Sequence, residues 1–155
     1  MKNLIPTFLL MTTVLTSRAA IHTETVEYKQ GDATLEGVLV YDDAIQGKRP
    51  SILVVHQWLG LTDYEKRRAT MLAQLGYVAF CADIYGKDSR PKNVQEAGAL
   101  AGKYKTDRTL LRARVKAGLG ELKKNNLVDS KRVAAIGYCF GGTTVIELAR
   151  SGADL

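Results

Sequence analysis

Cysteine is scarce: two residues in 155, too few for a scaffold held together by disulfides. The two are not arranged as Cys-x-x-Cys and neither has a resolving thiol nearby, so a thiol redox protein lacks its motif. No apolar run reaches the roughly 20 residues that a membrane span requires. The chain carries no internal repeat and no low-complexity tract. Its formal charge is only +6. The densest basic stretch, residues 108–124, contains no aromatic residue that could stack on bases. Its cations alternate with apolar positions at helical spacing, which predicts a solvated helix face rather than a nucleic-acid patch.

What is present, 46% hydrophobic and 25% charged residues, is the composition of one globular domain. Residues 1–19 stand apart from it. Lys2 precedes an apolar run over residues 4–15, and Ser17-Arg18-Ala19 puts small residues where a signal peptidase reads. The expectation is cleavage after Ala19, with export to the periplasm or the medium, and a domain over residues 20–155. No cysteine lies near that site to take a lipid. Loss of Lys2 and Arg18 lowers the formal charge to +4.

Alternation of polar and apolar residues over 23–30 and 34–41, across Gly31-Asp32, predicts an antiparallel hairpin at a sheet edge. Residues 51–55, Ser-Ile-Leu-Val-Val, form a continuous apolar run suited to a strand buried on both faces. Thr62 with Glu65 forms a capping-box signature. Tyr64, Met71, Leu72 and Leu75 then recur at helical spacing up to Gly76, a candidate C′. Residues 77–82 read as a second buried strand, 83–93 as an irregular loop and 94–103 as a weaker helix. Leu111, Val115, Leu119 and Leu122 stripe a longer helix whose basic residues face solvent and which Gly118 and Gly120 weaken. Residues 132–136 read as a third buried strand, and 141–150 as a helix that Gly152 ends. Strands alternating with helices predict an α/β fold: a mostly parallel sheet with helices on both faces.

The chemistry concentrates at Gly137-Tyr138-Cys139-Phe140-Gly141-Gly142, where a buried strand runs through glycine-flanked Cys139 straight into a helix. This is the nucleophile-elbow pattern with cysteine in place of serine. Gly137 and Gly141 are required because a Cβ at either position would collide with the neighbouring helix and strand. A thiolate is a good nucleophile, and the positive end of a helix favours negative charge beside it. The alternative is that Cys139 is a small buried apolar residue, as most free cysteines are.

Three segments in this order, His56-Gln57-Trp58-Leu59-Gly60-Leu61, Cys81-Ala82-Asp83-Ile84-Tyr85-Gly86 and the elbow, resemble the dienelactone hydrolase family of α/β-hydrolases over residues 23–155. The resemblance implies an α/β-hydrolase fold, truncated after the nucleophile helix, and cleavage of a small ester or lactone by Cys139. It implies an oxyanion hole made by the backbone N–H groups of Trp58 and Phe140, and candidate substrate-lining residues His56, Gln57 and Tyr85. No metal or organic cofactor is expected, nor a nucleic-acid or membrane partner after signal cleavage.

Gln57 stands where the family usually has glutamate, and an amide cannot act as a base. Either thiol activation falls to a histidine, or the substrate range differs from that of dienelactone-cleaving members. The fold's triad runs nucleophile, acid, histidine, so the acid and the histidine are expected beyond Leu155. His22 is expected in solvent, His56 in a structural or substrate-lining role, and Asp83 in structural hydrogen bonding. The family's strand order puts the Cys81 and Cys139 strands on opposite sides of residues 51–55, too far apart for a disulfide. The competing reading is a non-catalytic hydrolase-fold binding protein or an inactive fragment. An unpaired strand at 132–136 is expected to make the 155-residue chain aggregate or recruit another chain.

Overall fold

The computed structural model describes residues 20–155; the expected signal peptide, residues 1–19, lies outside the described residues. Five strands, β1 (Ile21–Gln30), β2 (Ala33–Asp42), β3 (Arg49–Val55), β4 (Val78–Ala82) and β5 (Val128–Gly137), form one sheet in the order β1-β2-β4-β3-β5. The parallel part is β4-β3-β5, and the β1-β2 hairpin joins antiparallel through β2 and β4. Within the hairpin β1 is the edge and β2 is inside, so β1 is largely exposed whereas most of β2 is buried.

Helices α1 (Asp63–Gln74), α2 (Val94–Thr106), α3 (Arg108–Lys124) and α4 (Phe140–Arg150) cover both faces. On one face Ala69 and Ala73 of α1 pack with Val38, Val40, Ile52, Val54, Ala79 and Cys81. The other face carries α2, α3 and α4 over Leu39, Leu53, Val55 and Phe80. This is the layered α/β arrangement that the strand and helix alternation predicts, and it agrees with the α/β-hydrolase fold that the resemblance implies.

Helix α1 begins as its capping box predicts: the Thr62 hydroxyl accepts from the Tyr64 N–H and the Glu65 side chain accepts from the Thr62 N–H. It ends in a Schellman turn, with Tyr77 N–H donating to Leu72 O, Gly76 N–H donating to Ala73 O, and Gly76 at φ +91°. Its inner face differs from the expected one. Met71 and Leu75 are exposed, and Glu65, Ala69 and Ala73 face the sheet. Small residues at four-residue spacing let the helix axis approach the strands, which a stripe of large side chains would prevent.

The basic face of α3 also differs from a simple solvated surface. Arg112 donates twice to Glu147 Oε2 on α4, at 2.9 and 2.7 Å, and Glu147 is only 4% exposed. Arg114 is buried. At Gly118 α3 comes close to the sheet: a Cβ there would lie 2.8 Å from the Ala82 Cβ.

Strand β5 extends beyond the expected 132–136, because Val128 pairs with Arg49 across an irregularity between Arg49 and Ser51. Among the described residues it pairs only with β3, and Ala134 is exposed. Residues that read as a buried strand therefore form an edge here.

Candidate active site

Cys139 is the one non-glycine residue with positive φ among the described residues, at φ 55°, ψ −109°. Such backbone costs of order 1–3 kcal/mol and persists only where its surroundings impose it. They do so here. Tyr138 N–H donates to Val55 O (3.3 Å), Gly141 N–H to Tyr138 O (2.9 Å) and Gly142 N–H to Cys139 O (3.0 Å). A Cβ on Gly137 would lie 2.1 Å from Gly141 O, and one on Gly141 would lie 2.3 Å from Val55 O. Only glycine fits at either place. The turn lifts Cys139 into solvent at the N-terminus of α4, with its thiol free.

Gly141 abuts Val55 and His56, so the elbow touches the start of the loop that follows β3. That loop is held from several sides. Gln57 N–H donates to Glu65 Oε1 (3.3 Å), and Thr62 N–H to Glu65 Oε2 (2.9 Å). Gly60 N–H donates to Gln57 O (3.2 Å), and the Tyr85 hydroxyl to Trp58 O (2.8 Å). Glu65, 0% exposed, thus holds both ends of the loop, a role its capping-box position announced only in part. Among the described residues, no hydrogen-bond partner stands on the N–H of Trp58 or of Phe140. Both N–H groups are thereby left open: Phe140 directly follows Cys139, and Trp58 lies two residues after His56, whose carbonyl abuts Gly141.

The other expected site residues separate into surface and interior. Gln57 and Trp58 are half-buried. His56 is fully buried and Tyr85 is 2% exposed, so neither lines a substrate surface in this structure. Their rings lie 4.7 Å apart, and both pack on Phe140. Burial lowers the His56 pKa below the ordinary value, against the opposing influence of its bond to Gln57 O and of Asp83 and Glu65. Burial raises the Tyr85 pKa, which keeps its hydroxyl a donor to Trp58 O.

Asp83 is a structural hydrogen-bonding residue. Its Oδ1 accepts from Tyr85 N–H and Gly86 N–H, each at 3.0 Å, and its Oδ2 from Glu36 N–H at 3.1 Å. Cys81 is buried, its thiol pushed up to about 12 by burial, and it is free, as is Cys139. On the α1 side, Arg68 Nε donates to the Tyr138 hydroxyl at 2.9 Å, a contact with the elbow that spacing along the chain gives no hint of.

No histidine among the described residues is placed to take a proton from Cys139. The His22 ring lies 4.8 Å from the Tyr41 ring, tilted by 34°, and Tyr41 also lies under Arg49, the first residue of β3. It is therefore at the end of the sheet opposite to Val55 and the elbow. No group of three His, Cys, Asp or Glu side chains that could hold a metal ion is found among the described residues.

The dienelactone hydrolase family model matches residues 35–155. The chain belongs to this family. A probable 2-oxo-3-(5-oxofuran-2-ylidene)propanoate lactonase from Bradyrhizobium sp. is 30% identical over 110 residues, 70% of this chain and 44% of that protein. The carboxymethylenebutenolidase of Pseudomonas putida is 23% identical over 138 residues, 84% of this chain and 57% of the enzyme. The crystal structure of a dienelactone hydrolase-like promiscuous phosphotriesterase from metagenomic libraries is 38% identical with TM-score 0.84, over 88% of this chain and 56% of that one. The chain thus spans about half the length of these family members.

Proposed function

We propose that the protein to which this chain belongs hydrolyses a small ester or lactone, with Cys139 as nucleophile. The observation that carries this reading is the strained, exposed Cys139 at the start of α4, next in the chain to the unpartnered N–H of Phe140. The Cys139 thiolate adds to the carbonyl carbon, forming a C–S bond as the C=O π pair moves onto oxygen. The N–H groups of Trp58 and Phe140 receive that oxyanion; one such donor contributes roughly 3 kcal/mol to a transition state. Collapse re-forms C=O and breaks the C–O bond, and the departing alkoxide takes up the proton that the thiol gave to a base. Water then adds to the thioester as the base takes one of its protons, and breaking the C–S bond releases the carboxylic acid and restores the thiolate beside the protonated base.

The base is a histidine beyond Leu155, since neither His22 nor His56 is free to act. The substrate is a small molecule, and no nucleic-acid or membrane partner is proposed. The mature chain begins at Ala20 after export; an intact mass that retains Met1 in the exported fraction would contradict this. The test of function is turnover of nitrophenyl esters and five-membered lactones by the full-length protein and its Cys139→Ala variant. Activity lost in the variant supports the reading, and unchanged turnover sinks it. An aryl phosphotriester is the next substrate to assay, because the 38% identical neighbour is a promiscuous phosphotriesterase.

The second reading, a non-catalytic hydrolase-fold binding protein or an inactive fragment, is favoured by Gln57 in the usual glutamate position. Iodoacetamide separates the two: fast alkylation of Cys139 near neutral pH indicates an activated thiol, and a rate like that of free cysteine indicates binding alone.

A further inference from the structure

We propose that His56 is a positioning residue that aims the Trp58 N–H at the substrate's carbonyl oxygen. The inference rests on the acyl-transfer reading above and adds how its oxyanion site is built. The carbonyl of Gln57 and the N–H of Trp58 belong to one planar trans peptide, so they point in opposite directions. Whatever holds the carbonyl also holds the N–H. The holding group is His56, whose Nδ1 stands 2.6 Å from Gln57 O, supported by Gly60 N–H at 3.2 Å.

The tautomer follows from the partners. A carbonyl oxygen only accepts, so Nδ1 carries the proton. Ile84 N–H donates to Nε2 at 3.2 Å, so Nε2 carries none. A neutral imidazole with its proton on Nδ1 is the one form that satisfies both bonds. Protonation would set an Nε2–H against the Ile84 N–H, and full burial of the ring opposes it.

The ring is held in its plane as well. It stacks on Phe140 at 5.8 Å with 21° between planes, and meets Tyr85 edge-on at 4.7 Å. Phe140 carries the second open N–H, so one imidazole is bonded to the peptide that bears one donor and packs on the side chain of the residue that bears the other. Tyr85 closes the arrangement by donating to Trp58 O. A buried histidine that lines no substrate surface thus acts through the backbone of its neighbour.

The test compares two reactions of Cys139. Acylation by a nitrophenyl ester passes through an oxyanion, whereas alkylation by iodoacetamide does not. Both are followed by mass on the full-length protein. Removing an oxyanion donor slows reaction about 10²- to 10³-fold, and misaiming one slows it by part of that. His56→Leu should therefore slow acylation about 10- to 100-fold and leave alkylation unchanged. His56→Asn, whose amide Nδ2 stands in the place of Nδ1, should acylate close to the wild-type rate. Equal acylation in His56→Leu and wild type, or equal slowing of both reactions, overturns the inference.

If His56→Leu fails to fold, the Asn and Gln variants carry the comparison, since Gln sends its amide toward the Nε2 position. Slow acylation in Gln alone supports the inference, and equal rates overturn it. Wild-type protein that alkylates without acylating refutes the acyl-transfer reading itself, and this inference with it. An imidazole 15N spectrum showing the proton on Nε2 of His56 overturns the inference alone.

Discussion

Gly141 stands so close to Val55 that a Cβ on the glycine would lie 2.3 Å from the valine carbonyl oxygen. The end of β3 and the start of α4 meet backbone to backbone, and this contact keeps the elbow beside the loop that begins at His56. Gly141→Ala should therefore destabilise the chain by about 3 kcal/mol or more, at or above the upper end of ordinary overpacking. Gly120 on α3 has open space around it, and Gly120→Ala should instead stabilise by up to about 1 kcal/mol. Urea unfolding of both variants checks the pair.

Arg112 and Arg150 hold the Glu147 carboxyl below the ordinary carboxylate range, chiefly through their hydrogen bonds to it. Because its folded pKa is depressed, the stability it contributes is present above the unfolded value of 4.5 and is lost as pH falls through the folded value. Glu147→Gln should be less stable than wild type at pH 7. The difference should shrink as the pH is taken below 4.5, and denaturant titrations across that interval measure it.

His56 has the opposite charge type and the same sign of pH dependence. Burial keeps it neutral in the folded chain, whereas unfolding frees it to take a proton below its ordinary value of 6.5. The unfolded state then binds more protons, so stability falls as pH decreases below 6.5, with a slope of up to about 1.4 kcal/mol per pH unit. Unfolding free energies of wild type and His56→Asn between pH 5 and pH 7 should differ in slope by this contribution.

Strand β5 offers a row of backbone groups unpaired among the described residues, with Ala134 exposed on it. The isolated 155-residue chain should self-associate or bind another chain along this edge. Ala134→Lys should reduce the association by placing a charge on the edge. Analytical ultracentrifugation reads both; a monodisperse wild-type monomer with a sharp reversible transition contradicts the prediction.

The parts legible in the sequence were those encoded by local backbone demands. The glycine spacing around Cys139 announced a turn where no Cβ fits at 137 or 141, and the clash distances bear this out. Thr62 and Glu65 announced the start of α1, and Gly76 its end. Less legible were relationships that depend on what lies opposite. Periodicity favoured Tyr64, Met71 and Leu75 on α1, yet a close sheet selects Glu65, Ala69 and Ala73. Gly118 read as a weak point of α3 because its partner Ala82 is distant in sequence. The pairing of Arg112 with Glu147 and the bond from Arg68 to Tyr138 were hidden for the same reason. His56 and Tyr85 are buried by Phe140 and by each other, and the chain order of their segments carries no measure of that depth.

The most direct measurement of the central claim is a mass spectrum of the full-length protein taken within seconds of mixing with a nitrophenyl ester. The account predicts a single acyl adduct mapping to Cys139, absent in Cys139→Ala. No adduct in the wild type, or an adduct that persists in Cys139→Ala, would contradict it.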